Sequence, residues 1–245
     1  TDTLTGELAR EAGENVGTYA IKQGTLSAGK NYNVTFTGAD FTISKAALTV
    51  TAEAASKTYG KDDPALTYST EGLVGADTLT GKLTRDPGEN AGSYAIKQGS
   101  LSAGDNYDVT FNGAIFTIDK AAITITADDK STKYKDDLAE LTYQIGGDYV
   151  EGDDLGVTVT TDATNTSPVG EYDITVDWNK NGNYTATLVN GKYTITKADL
   201  TTSATGYDGV YDGEAHSISV DVGDSDAVVY YGTSELTADN YNTAG

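Results

Sequence analysis

Few residues in this 245-residue chain are equipped for chemistry. The single histidine stands in Asp212-Gly213-Glu214-Ala215-His216-Ser217, where an acid, an imidazole and a hydroxyl come close in sequence. In an extended strand such neighbours alternate between faces, so they do not converge as a hydrolytic triad requires. The segment Asp177-Trp178-Asn179-Lys180-Asn181-Gly182-Asn183 carries oxygen ligands at positions one, three and five and Gly at six, the first half of a calcium loop. Its twelfth position is Leu188, which has no carboxylate, and residues 172–176 and 184–188 read as strands. A hairpin turn is therefore the expectation there, and no metal ligands are assigned. Trp178 would serve as a sugar platform, but a lone Trp at a turn is expected to pack.

The acidic pairs Asp62-Asp63, Asp128-Asp129, Asp136-Asp137 and Asp153-Asp154 stand near expected turns, where a cation would stiffen a junction; solvated surface charge is the simpler account. A Lys-to-Asn isopeptide crosslink would use Lys22 or Lys97 with Asn31 or Asn106, and it needs a buried triplet of Lys, Asn and acid that the sequence does not demonstrate. With no cysteine there is no disulfide, thiolate metal site or cysteine nucleophile. One histidine excludes a multi-histidine zinc centre. Scattered Asp and Glu offer no glycosidase pair on a recognisable cleft. No catalytic residue and no cofactor follow.

Charge narrows the partners. Sixteen Lys and Arg against 37 Asp and Glu leave a net charge of −21, which repels nucleic acid and anionic lipid. No run approaches the roughly 18 apolar residues of a membrane-spanning helix.

The elements that hold these residues are repeated. Residues 2–52 align without a gap onto residues 77–127, with 37 identities in 51 positions at an offset of 75. A third copy drifts further. Tyr59-Gly60 answers Tyr134-Lys135 at 75, and Asn106-Tyr107 answers Asn183-Tyr184 at 77. A fourth begins near Asp199, with Tyr211-Asp212-Gly213 in the place of Tyr59-Gly60. The organisation expected is residues 1–45 as the later part of a repeat, 46–120 and 121–198 as complete repeats, and 199–245 as the earlier part of a fourth. Both ends cut through a repeat, Asn242-Thr243-Ala244-Gly245 matching the place of Asn90-Ala91-Gly92, so an excerpt of a longer array is expected.

Within one unit the pattern is all-β. Residues 47–52 alternate apolar residues with Thr, which predicts a strand with Leu48 and Val50 inward. Short strands are predicted over 66–68, 81–85 and 94–98, with a helical turn or wide loop over 73–79 plugging one end of the core. Residues 107–111 and 114–119 flank Asn112-Gly113, the strongest two-residue hairpin signal available, and the first copy has Thr37-Gly38 there. Tyr94, Tyr107, Phe111 and Phe116, and their first-copy counterparts Tyr19, Tyr32, Phe36 and Phe41, are expected in the core. Six or seven short strands describe a small β-sandwich or a β-grasp-like module, a choice that strand count leaves open. Because one unit's closing strand runs into the next unit's opening strand without a spacer, a rod of modules is expected.

Tyr59-Gly60, Pro64, Leu66-Thr67-Tyr68, Gly72-Leu73, Asp77-Thr78-Leu79-Thr80-Gly81, Gly88-Glu89-Asn90, Gly92, Tyr94-Ala95-Ile96, Asn106-Tyr107 and Phe116-Thr117-Ile118 together resemble the MBG domain of the YGX type. The third copy departs at Lys135 and Leu138, and residues 206–213 resemble the related YDG-type repeats. The family recurs in large bacterial surface and secreted adhesin-like proteins. The resemblance thus implies an extracellular stalk or adhesin segment without catalytic residues, its partners being neighbouring repeats. Multivalent binding of host glycans or mucus proteins by the repeats is the alternative. A polymer in which one chain's end completes the next chain's domain is also conceivable.

Overall fold

The structure, a computed structural model, describes residues 3–217 and 219–223, and these form strands, turns and no helix. Asn242-Thr243-Ala244-Gly245 and most of the fourth repeat's latter half lie outside the described residues. The chain divides into two compact units. One is Thr1–Ile125, Ile145–Val157 and Trp178–Thr187, and the other is Thr126–Gln144, Thr158–Asp177 and Leu188–Gly245. Each is described by itself.

In the first unit, the first repeat contributes β1 (Ala9–Arg10), β2 (Gly17–Lys22) and β3 (Asp40–Ile43), an antiparallel sheet in that order. The second repeat has β4 (Ala46–Ala52), β5 (Ala55–Thr58), β6 (Tyr68–Glu71), β7 (Thr84–Arg85), β8 (Gly92–Lys97), β9 (Tyr107–Asn112) and β10 (Ala114–Asp119). They form two sheets, ordered β6-β4-β9 and β5-β10-β8-β7. Between these sheets lie Leu48, Val50, Ala52, Ile96, Phe116 and Ile118, with Leu83 and Leu101 supplied by loops. The repeat is a small sandwich, and β4 buries Leu48 and Val50 as its alternation requires.

The Asn112-Gly113 hairpin is not formed. Strand β9 pairs in parallel with β4, while β10 pairs in parallel with β5 and antiparallel with β8. The chain therefore does not fold back at Gly113; it crosses from one sheet to the other. A type I′ turn needs positive φ at both central residues, and neither Asn112 nor Gly113 has it. Glycine is required here for closeness instead, since a Cβ would sit 2.7 Å from the Ile96 carbonyl oxygen.

The register carries straight through that crossing. Ala46 opposes Tyr107 and Thr51 opposes Asn112; beyond the crossing, Ala55 opposes Phe116 and Thr58 opposes Asp119. Each of these differences is 61, as in 107 − 46 and 119 − 58. Strands β4 and β5 on one side, and β9 and β10 on the other, are thus two long kinked strands paired in parallel from end to end.

Two further expectations are revised. The 66–68 strand begins where that prediction ended, at Tyr68, and β7 covers only the end of the predicted 81–85 strand, because Leu83 turns into the core and Thr80 makes an isolated bridge with Ser102. Residues 73–79 form the wide loop and not a helical turn. Leu73 and Leu79 pack against the core, and the Tyr107 hydroxyl pins the loop by accepting from the Val74 N–H (3.0 Å) and donating to Asp77 (2.6 Å).

The aromatic core is realised in the second repeat and only partly in the first. Tyr107 and Phe116 are buried, and Tyr94 and Phe111 are half-buried. Tyr19 and Phe36 are also half-buried, but Tyr32 and Phe41 are exposed. Phe116 packs in the core with Leu48 and Val50 of β4, whereas the Phe41 ring is met by the Arg10 guanidinium.

The third repeat contains β11 (Ala121–Ala127), β12 (Lys130–Lys133), β13 (Tyr143–Gly147), β14 (Thr158–Thr161), β15 (Gly170–Asp177), β16 (Tyr184–Val189) and β17 (Gly191–Thr196), ordered β13-β11-β16 and β12-β17-β15-β14. In the second unit β12 pairs in parallel with β17, again at constant spacing, Lys130 with Tyr193 and Lys133 with Thr196. Strands β18 (Ser203–Thr205) and β19 (Ser219–Asp221) form an antiparallel pair.

Phe116→Ala is expected to cost about 3–5 kcal/mol. Phe41→Ala should cost well under half as much, because that residue is already 41% exposed. Urea midpoints of the two variants measure the contrast.

Candidate functional site at the junctions between repeats

Polar side chains with recurring geometry lie where one repeat meets the next, inside the first unit. Strand β8 runs antiparallel to β10 and starts opposite Ile118, so Asn90 and Ala91 stand at the end of the second repeat where the chain leaves it. Asn106 precedes β9 and stands at the opposite end, beside Ala46. Each end is engaged by a neighbour.

At the first junction, the Asn106 Oδ1 accepts from the Val16 N–H (2.9 Å), its Nδ2 donates to Asn15 Oδ1 (3.0 Å), and its backbone carbonyl accepts from the Ala46 N–H (2.9 Å). At the second, Asn183 Oδ1 accepts from the Ala91 N–H (2.8 Å), its Nδ2 donates to Asn90 Oδ1 (3.1 Å), and its carbonyl accepts from the Ala121 N–H (2.9 Å). One amide side chain thus uses its donor and acceptor together to clamp the preceding repeat's turn. Neither Asp nor Leu, the nearest isosteres, reproduces both roles.

The second junction adds an aromatic and carboxylate network. The ring of Tyr59 meets that of Tyr184 edge to face, with centroids 5.4 Å apart. Both hydroxyls donate to Asp153 Oδ2, at 2.9 and 2.5 Å, and the Tyr184 oxygen accepts from the Val150 N–H (3.1 Å). Next to Tyr59, Gly60 has φ +79°, and a Cβ on it would lie 2.4 Å from Val150 Cγ2. Glycine here meets both a left-handed backbone and the approach of the next repeat. The equivalent Lys135 holds the same conformation, φ +72°, at a residue with a side chain.

The acidic pairs are only in part solvated charge, which corrects the expectation for two of them. Asp153 is the junction acceptor just described. Asp63 takes both Nε (2.5 Å) and Nη2 (3.0 Å) of Arg85 and the Nζ of Lys57 (2.8 Å). The remaining Arg85 donors go to Glu89 and to the carbonyls of Asp86 and Gly88, so all five N–H groups are used, while the guanidinium lies over the rings of Tyr94 and Phe116. Arg10 repeats the carbonyl and ring contacts in the first repeat. Asp128 accepts from the Thr142 hydroxyl, Asp129 from the Lys192 N–H, and Asp154 from the Gly156 N–H. The Asp136 N–H donates to the Lys133 carbonyl, and the Asp137 carbonyl accepts from Thr132.

The other candidates do not converge. Asp177 ends β15, and Asn181, the fifth position of the calcium-loop pattern, accepts from the Asn183 N–H to shape the turn, while the Asn183 side chain serves the junction. The turn after β15 joins it to β16, which belongs to the other sheet order, so it is no hairpin either. Among the described residues, no group of three or more His, Cys, Asp and Glu is placed to hold a metal ion. His216 contacts Asp212 (3.0 Å) and stacks on Tyr207, a pairing without a nucleophile. Lys22 and Lys97 are exposed and paired with Glu11 and Asp86, so neither is the buried amine an isopeptide needs. Sequence reading noticed Asn106-Tyr107 as a pattern but not its task; the signal available was the recurrence of Asn15 with Asn90 and of Asn106 with Asn183.

The family profile described as MBG domain (YGX type) matches residues 1–42, 48–117 and 123–194. No curated protein matches the chain.

Asn183→Ala is expected to cost about 1–3 kcal/mol, because it leaves the Ala91 N–H and Asn90 without partners; thermal unfolding measures it. Titration gives a second check. Burial, then the Asp153 hydrogen bond, pushes the Tyr184 phenol up to about 12, and the Asp153 hydrogen bond raises Tyr59. A raised phenol stabilises the folded state fully below its ordinary value of 10 and loses that contribution as pH rises through about 12. Arg85, then Lys57, lowers the Asp63 carboxyl to about 2, so its contribution is complete above 3.8 and fades as pH falls toward 2. Melting temperatures should therefore decline at both extremes, and Tyr59→Phe with Tyr184→Phe should flatten only the alkaline limb.

Proposed function

The chain belongs to the MBG domain (YGX type) family, and we propose that it serves as a non-catalytic spacer in an extracellular bacterial adhesin-like protein, projecting a tip or building a surface fibre. The observation that carries this reading is the paired junction clamp, Asn106 on Asn15 and Val16, and Asn183 on Asn90 and Ala91. In this clamp specific polar groups hold one repeat to the next, as a spacer requires. The chain's acidity fits the same role, since like charge keeps a long, strand-rich surface protein from associating edge to edge. No described helix is long and apolar enough to cross a membrane.

Electron micrographs of tandem arrays with increasing repeat number test the reading. A fixed length increment per repeat with a narrow angle distribution at each junction is expected, along with no retention on mucin- or glycan-coated surfaces. Freely varying junction angles would sink the spacer reading. Retention rising steeply with repeat number would replace it with multivalent ligand binding.

A further inference from the structure

We infer that the second repeat is a load-bearing module whose parallel ladder is placed to resist tension along the chain. The inference gives the spacer proposed above its physical task and rests on that reading for its biological setting.

The chain enters the repeat on β4 and leaves it on β10. These belong to the two kinked strands that pair in parallel from Ala46↔Tyr107 to Thr58↔Asp119. Because the pairing is parallel and its register constant, the point of arrival and the point of departure lie at opposite ends of the ladder. The Ala46 N–H bonds to the Asn106 carbonyl at one end (2.9 Å), and the Tyr59 N–H bonds to the Asp119 carbonyl at the other (2.8 Å). Twelve residues at about 3.3 Å each bound the separation at roughly 40 Å.

Tension between these ends pulls the first kinked strand one way and the last kinked strand the other, along their common axis. Interstrand hydrogen bonds run across that axis, so they are loaded together and must fail together. If instead the ends emerged side by side, as in a hairpin, each bond would meet the load in turn. Sliding the strands also drags Leu48 and Val50 past Phe116 and Ile118, all buried, so the core opposes the same motion. The corner at Gly113 matters for this reason. A true hairpin at Asn112-Gly113 would have returned the chain to the end at which it arrived.

The absence of cysteine allows a direct test by single-molecule force spectroscopy of the whole chain held between handle proteins. One experiment pulls through the chain termini. The other pulls through Ala47→Cys and Asp108→Cys, exposed register partners at one end of the ladder, which opens it bond by bond. Urea unfolding first establishes that the double variant retains the parent's stability. A rupture force for the second repeat several-fold higher through the termini than through the cysteine pair is expected, because forced unfolding is governed by the barrier along the pulled coordinate. Equal forces in the two directions, or extension through the termini without a resolvable rupture, would overturn the inference. Micrographs showing freely jointed repeats would remove the spacer reading and leave this force contrast intact, so the two failures are distinguishable.

Discussion

The parallel pairing of a repeat's first and last long strands is the constraint on which the rest of the fold depends. Holding residues 46–58 against 107–119 at one register closes the whole repeat around its ends. Everything between is a side excursion from that ladder. Strand β6 extends it on the β4 side, while β8 and β7 extend it on the β10 side. Because the two additions lie on opposite flanks and the ladder kinks between them, one paired ribbon serves both sheets and encloses the core. A unit of about 75 residues buries a small fraction of its surface for its size. Joining its most distant segments directly is an economical way to order it without disulfide or metal.

The same ladder explains why the junctions are polar. Where it ends, the Asn106 carbonyl takes the repeat's own first N–H, that of Ala46, and the Asp119 carbonyl takes that of Tyr59, while the Asn106 and Asn183 amides complete N–H groups in the turn of the repeat before. Asn serves because it can donate and accept at once, and the contact stays satisfied without burying apolar area that an isolated repeat would have to expose. Tyr107 and Tyr184 show a related economy. Each hydroxyl pins its own repeat's wide loop, and at the second junction the Asp153 that receives Tyr184 also receives Tyr59 from the repeat before.

Much of the fold was legible in the sequence, and the illegible parts share a cause. The alternation in residues 46–52 sets β4 because a strand's period is local, and the 75-residue offset is visible without any structure. Asn112-Gly113 misleads because the local pattern of a hairpin and of a sheet crossing is the same; what decides between them is pairing with β4 and β5, 61 residues away. Asn183 closes a segment that reads as half of a calcium loop, and nothing near it in sequence points to its amide partner Asn90, 93 positions distant. Asp63 and Asp153 read as surface charge for the same reason, their partners Arg85 and Tyr59 being remote in sequence. The aromatic core was legible by residue type, but the difference between buried Phe116 and exposed Phe41 was not, since the two stand at equivalent places in nearly identical sequence.

The pair formed by Gly60 and Val150 bears on how such arrays are inherited. Gly60 leaves no room for a β-carbon because the following repeat's Val150 occupies that space, whereas Lys135 carries a β-carbon at the corresponding place. Duplication copies a repeat, but it cannot copy the neighbour for which that repeat's far end has been shaped. Recombination that inserted the third repeat's end ahead of Val150 would preserve every sheet and still create a steric mismatch at the seam. Order along the array is thus part of the protein's sequence information, and exchange between repeats is constrained one neighbour at a time.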